Sequence, residues 1–178
     1  MTDYVALLRG INLGKRRIKM DDLREGFVAW GFEHVETLQA AGNVIFTGEQ
    51  RDLADLAADL EVNLQERYGY DVPVILRTLE EIHALVAADP FAGIELTPDT
   101  RLYATFLDEA PADVQLPFET PQKDYKILDI ADRTVFSVLT LNPSMRTTDS
   151  MAILEQTFGK RITTRNWNTV KKIAQTKR

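Results

Sequence analysis

Two acid-free segments concentrate the side chains that could do chemistry in this chain. Residues 9–19 hold Arg9, Lys15, Arg16, Arg17 and Lys19; residues 159–178 hold Lys160, Arg161, Arg165, Lys171, Lys172, Lys177 and Arg178. They carry 12 of the 21 basic residues. The rest of a chain whose formal net charge is −6 therefore balances 9 basic against 27 acidic residues, or −18. Fields add locally, so a basic patch on an acidic body still attracts an anion. The chemistry such a patch suits is the binding of phosphate, as a nucleotide or as nucleic acid. The plainer alternative is a solvated helix face or turn, and whether the two segments meet is a question for the tertiary structure.

The first segment opens with Gly10-Ile11-Asn12-Leu13-Gly14-Lys15. A P-loop needs four residues between its glycines and a Ser or Thr after the lysine; here there are three, and Arg16 follows. A dinucleotide fingerprint needs a third glycine at the helix start, which is absent. What remains is a loop leaving a strand, with backbone N–H groups exposed by glycine and cations before a helix, an arrangement able to bind anions. Asp21 and Asp22 count against it, because a capping carboxylate occupies the same positive helix end. In the second segment, Thr164 or Asn166 is the expected N-cap of the last helix. Trp167 begins its apolar stripe and belongs to the core, leaving Arg165 and Asn168 for a ligand. The candidate ligand-binding set is Arg9, Asn12, Lys15, Lys19, Asn43, Arg165, Asn166 and Asn168; no catalytic residue is assigned.

Other chemistries find little support. There is no cysteine, which excludes disulfides, thiol catalysis and thiolate metal sites. His34 and His83 are the only histidines, both expected at the surface, and no metal site or cofactor is expected. No Ser-His-Asp order and no HExxH occurs. Carboxylates are plentiful, yet their spacing selects no catalytic pair, so enzyme activity is left open. No apolar run approaches a membrane span, no signal peptide is evident, and a cytoplasmic protein without membrane partners is expected. Besides phosphate-ligand binding, two readings stand: a small-molecule enzyme with a cleft between subdomains, and a structural or oligomerisation module, for which no oligomer is specifically indicated.

The elements that must position these residues follow from periodicity. Tyr4–Leu8 is a continuous apolar run suited to a central strand. Leu23, Phe27 and Trp30 form one helical stripe, capped at Asp21 or Asp22 and ended by Gly31. Strands at 35–40 and 44–47 join through Ala41-Gly42-Asn43 as a hairpin. Leu53, Leu56, Ala57, Leu60 and Leu64 mark a helix ending near Gly69, and 72–77 reads as a strand in which Pro73 suggests an edge position or a strand start. The order is β-α-β-β-α-β, a ferredoxin-like first half, residues 1–77. Residues 78–178 should form a second α/β subdomain, packed with the first as one α+β body. It opens with a capping box at Thr78 and Glu81 and continues with a strand at 101–107. A breaker-rich stretch over 111–121, irregular or carrying one short helical turn, leads to a hairpin around Ala131-Asp132-Arg133. Two C-terminal helices, marked by Met151, Leu154 and Phe158 and by Trp167, Val170, Ile173 and Ala174, complete it. That makes three strands and three helices.

Four segments of the chain match a known pattern. Tyr4-Val-Ala-Leu-Leu-Arg-Gly-Ile-Asn-Leu-Gly14, Ile18-Lys-Met20, Gly42-Asn-Val44 and Thr163-Thr-Arg-Asn-Trp-Asn-Thr-Val170 resemble the bacterial family called "domain of unknown function 1697". The resemblance implies an α/β protein of two subdomains, the first ferredoxin-like, and brings no established activity, substrate or cofactor. Its signature falls on Arg9, Gly10, Asn12, Gly14, Lys19, Gly42, Asn43, Arg165, Asn166, Trp167 and Asn168. One departure stands out. The family hairpin usually reads Gln-Ser-Gly-Asn, whereas here Ala40-Ala41-Gly42-Asn43 follows Gln39. Side chains alternate along a strand, so Gln39 should face away from a glutamine at position 40.

Overall fold

The computed structural model describes residues 1–178. Its contacts divide the chain into two compact units, Met1–Ala84 with Ile173–Arg178, and Leu85–Lys172. Both mix helices with antiparallel sheet, so the protein is α+β.

In the first unit the elements run β1 (Thr2–Leu8), α1 (Met20–Ala29), β2 (Glu33–Leu38), β3 (Asn43–Gly48), α2 (Leu53–Tyr68) and β4 (Val74–Thr78). The sheet order is β2-β3-β1-β4, with every neighbouring pair antiparallel. β1 is an interior strand, as its unbroken apolar run requires, and β4 is the edge strand that Pro73 precedes. Alternation sends Tyr4, Ala6, Leu8, Val44, Phe46, Val74 and Leu76 to one face, where they pack with Leu23 and Phe27 of α1 and Leu56, Leu60 and Leu64 of α2. Phe27 anchors this core, with ring centroids 5.2 Å from both Trp30 and Phe46. Burying such a side chain completely is worth about 1.5–3 kcal/mol.

α2 is capped as its sequence suggests. Asp52 Oδ1 accepts from the Ala54 and Asp55 amides, and Gly69 closes the helix at φ 79°. α1 differs from expectation. Its N-cap is Lys19, with no side-chain cap, and Asp21 and Asp22 lie within the first turn. Asp22 is drawn elsewhere: its Oδ1 accepts from Arg67 Nη2 at 2.7 Å and its Oδ2 from the Tyr68 hydroxyl at 2.6 Å. A carboxylate held by the end of α2 cannot fold back onto the amides of α1.

α3 (Leu79–Ala87) begins with the reciprocal box read from the sequence, Thr78 N–H to Glu81 Oε2 at 2.6 Å and Glu81 N–H to Thr78 Oγ1 at 3.1 Å. α3 spans the boundary of the two units, and the second goes on with β5 (Thr100–Leu107), β6 (Phe118–Glu119), β7 (Tyr125–Ala131), β8 (Thr134–Thr140), α4 (Thr147–Phe158), β9 (Ile162–Asn166) and most of α5 (Trp167–Ala174). Its sheet order is β6-β7-β8-β5-β9. The expected three strands are thus five. β6 is a two-residue strand inside the segment read as irregular. β9 occupies the stretch read as a helix entry, so α5 begins at Trp167. Ile162, Thr163 and Thr164 are β-branched and pair with Leu107, Phe106 and Thr105. Leu154 of α4 packs on Tyr103, Leu107, Tyr125, Val135 and Leu139 on one face of this sheet.

Candidate functional site

The candidate residues of the first unit converge where β1 ends. The chain leaves Leu8, whose N–H donates to Gly42 O at 2.9 Å, and Arg9 N–H donates to Pro73 O at 2.9 Å. Gly10 at φ 71° then turns the loop outward. Asn12, at φ 57°, is its internal clamp. Its Nδ2 donates to Ala40 O at 2.9 Å, and its Oδ1 accepts from Ile18 N–H at 2.7 Å. Asparagine tolerates this left-handed backbone, and its amide supplies both a donor and an acceptor. Ile11 and Ile18, both buried, seat the two ends of the loop in the core.

Apart from the Asn12 clamp, the residues between those anchors, 13–17, are exposed. Arg16 N–H donates to Leu13 O at 3.1 Å, closing a turn over Gly14, at φ 59°, and Lys15; Leu13, which opens the turn, is 67% exposed. Lys15, Arg16, Arg17 and Lys19 are all exposed. Arg16 lies over the Tyr70 ring, 4.4 Å from guanidinium carbon to centroid, a cation–π contact that holds the charge at this place in the loop. Tyr70 is 54 positions away in the chain, and no sequence pattern linked the two.

Electrostatics at the entry to α1 complete the picture. Hydrogen bonds from Arg67 and Tyr68 hold the Asp22 carboxyl below the usual range, with the charge of Lys19 adding to the effect. Burial and the neighbouring carboxylate together push the Tyr68 phenol up. Asp22 is thereby satisfied by its own partners, and the cap position of α1 belongs to a lysine.

The remaining predicted residues have different surroundings. Asn43 is fully buried, and its Nδ2 donates to Leu38 O at 2.8 Å, closing the β2–β3 turn. Arg9 is half-buried at the end of β1. In the second unit Arg165 pairs with Ala104 across β5 and β9, and is 7% exposed. Its Nη1 donates to Thr163 Oγ1 at 2.7 Å and Thr164 O at 3.0 Å, and burial brings its pKa down to about 10. Asn166 and Asn168 are exposed. Trp167 between them is buried, edge-on to Phe91 and Phe136 at 5.2 and 5.9 Å. The candidates therefore divide between the two units, Arg9 to Asn43 in the first and Arg165 to Asn168 in the second.

His34 and His83 are both exposed, and His83 Nε2 lies 2.9 Å from Ala174 O. No three His, Asp or Glu side chains are grouped to hold a metal ion. No helix is long and apolar enough to cross a membrane.

The family described as "Protein of unknown function (DUF1697)" matches residues 1–136. A solved structure described as that of the conserved bacterial protein SP0830 from Streptococcus pneumoniae is 27% identical, with a TM-score of 0.76 over 98% of this chain and 97% of that one. No curated protein matches the chain. With the match spanning β1 to the start of β8, and the solved relative alike along nearly its whole length, the chain belongs to the DUF1697 family.

Proposed function

We propose that this is a cytoplasmic protein that binds a phosphate-bearing ligand, a nucleotide or nucleic acid, through the loop between β1 and α1. One observation carries the reading: a loop clamped at its base by Asn12 presents four exposed cations, Lys15, Arg16, Arg17 and Lys19, with no acid among them. Clamping matters because it orders the backbone before any ligand arrives, which lowers the entropic cost of binding. The α1 N-terminus supports the same reading, since no side chain caps it and its amides carry positive partial charge. The strand order of the first unit, with α1 and α2 on one face, supports describing that unit as ferredoxin-like. Arg165, buried and bonded to Thr163, drops from the ligand set, whereas Asn12 and Asn43 serve it as framework.

The test is thermal unfolding at low salt with inorganic phosphate, nucleotides and oligonucleotides. A ligand at a hundred times its dissociation constant adds about 2.7 kcal/mol, or roughly 5–11 °C in a chain of this length. The shift should vanish at high salt and in a Lys15→Glu, Arg17→Glu variant. A shift that survives this double charge reversal would place the ligand elsewhere and sink the proposal.

A further inference from the structure

We infer that the ligand of the β1–α1 loop is single-stranded nucleic acid rather than a free nucleotide or a duplex, an inference that rests on the phosphate-binding reading above. The residue that points there is Leu13. It opens the turn that Arg16 closes, 67% exposed, with Gly14, Lys15, Arg16 and Arg17 directly after it and all exposed. An isolated exposed leucine is ordinary. One that adjoins the cations of a clamped loop presents apolar surface to whatever they recruit. A bare phosphate offers nothing to cover it. A nucleobase does, and only in a single strand are base faces open to a side chain approaching from outside.

Two further features agree. Arg16 lies over the Tyr70 ring, 4.4 Å from guanidinium carbon to centroid, so an aromatic and a guanidinium sit together beside the loop, and both kinds of group stack on unpaired bases. The four cations also run over five consecutive residues. That spread suits successive phosphates along a strand better than a single phosphate group. The charge of the rest of the chain argues against a duplex. Outside its two basic segments it carries −18. A double helix, with a charge every ~1.7 Å of its axis, would bring many phosphates against that body. A single strand can follow the loop and leave.

The experiment is fluorescence anisotropy of the full chain with a labelled oligothymidylate of about 12 nucleotides, a site size within the range such proteins cover. A duplex of equal length, ATP and inorganic phosphate serve as competitors. Each neutralised phosphate contributes about −0.7 to the slope of log K against log salt, so four cations predict a slope near −3 and Lys15→Ala one shallower by about 0.7. Leu13→Ser should weaken binding roughly threefold to tenfold by the same factor at every salt concentration, since it removes apolar contact and no charge. Its unfolding midpoint should move little, because the side chain is largely exposed.

If Leu13→Ser binds like the unmodified chain while Lys15→Ala weakens, the loop reads phosphate alone: this inference fails and the broader proposal stands. Equal or tighter binding of the duplex also overturns it. So does Leu13-dependent capture by phosphatidylglycerol vesicles without oligonucleotide binding, which would assign the apolar side chain to a lipid surface. If neither the oligonucleotide nor any competitor binds, both proposals fall together.

Discussion

Replacing Gly42 with alanine tests the corner on which the candidate loop is built. Gly42 sits at φ 79°, and a Cβ there would meet Ile11 Cδ1 at 2.6 Å and Leu8 Cβ at 2.9 Å. Gly14 is the natural control, with φ 59° and nothing within 4 Å of its Cβ position. Both substitutions incur the left-handed backbone penalty of about 1–2 kcal/mol. Both gain the same small amount from a less flexible unfolded chain. Only Gly42→Ala must also push a methyl group into buried neighbours, and overpacking of that kind costs about 1–3 kcal/mol. Ile11 and Leu8 cannot easily retreat. Ile11 begins the loop, and Leu8 is held by its own N–H bond to the Gly42 carbonyl at 2.9 Å. Gly42→Ala should therefore unfold at lower temperature than Gly14→Ala by roughly 2–12 °C, at about 2–4 °C per kcal/mol. Calorimetry or circular dichroism on both variants reads the difference directly. Coincident midpoints would show that the corner has room, and the steric reason for glycine at this position would be wrong.

Two other outcomes follow from the site. The folded protein holds the Asp22 carboxyl below the usual range. Its stabilising contribution is thus complete above the unfolded value near 3.9 and is lost as pH falls through the lower folded value. The side chain is 43% exposed, so solvent screening keeps the effect at or below about 1 kcal/mol. Asp22→Asn should be slightly less stable at pH 7 and indistinguishable near pH 2; a gap unchanged by pH would refute the pairing with Arg67 and Tyr68. Arg165→Ala, by contrast, should lower the unfolding midpoint, because it strips buried Thr163 of a donor at 2.7 Å and leaves a void, at a cost of about 1–3 kcal/mol. Ligand affinity of the folded fraction should not change. Lost affinity with an unmoved midpoint would return Arg165 to the ligand site.

Much of the first unit was legible because its signals are local. The stripe of α2, its Asp52 cap and Gly69 stop, and the apolar run of β1 each lie within one window of chain. The β2–β3 connection was legible in kind but not in register. Positive φ falls on Gln39 and Gly42, and Asn43 already belongs to β3. Alternation then places Asn43 on the face opposite Val44 and Phe46, buried rather than presented. The cap of α1 was misread for a different reason. Aspartate before an apolar stripe is a sound capping signal, but Asp22 had a stronger offer from Arg67 and Tyr68, 45 and 46 residues away.

The second unit shows the limit more sharply. Ile162-Thr163-Thr164-Arg165-Asn166 is too polar to be recognised as a strand by its hydrophobicity, and only pairing with β5 makes it one. That pairing turns Arg165 inward, beside Ala104, and so converts a residue whose type suggests a ligand into a buried donor. By itself the sequence determined composition, the segregation of charge into two acid-free segments, most helices and strands, and the family. These depend on residue type and short-range periodicity. Which of the cations and amides face solvent, which are clamps, and that Leu13 stands exposed beside the cations were decided by tertiary structure. A polar side chain's role depends on the partners it finds, and those partners come from distant parts of the chain.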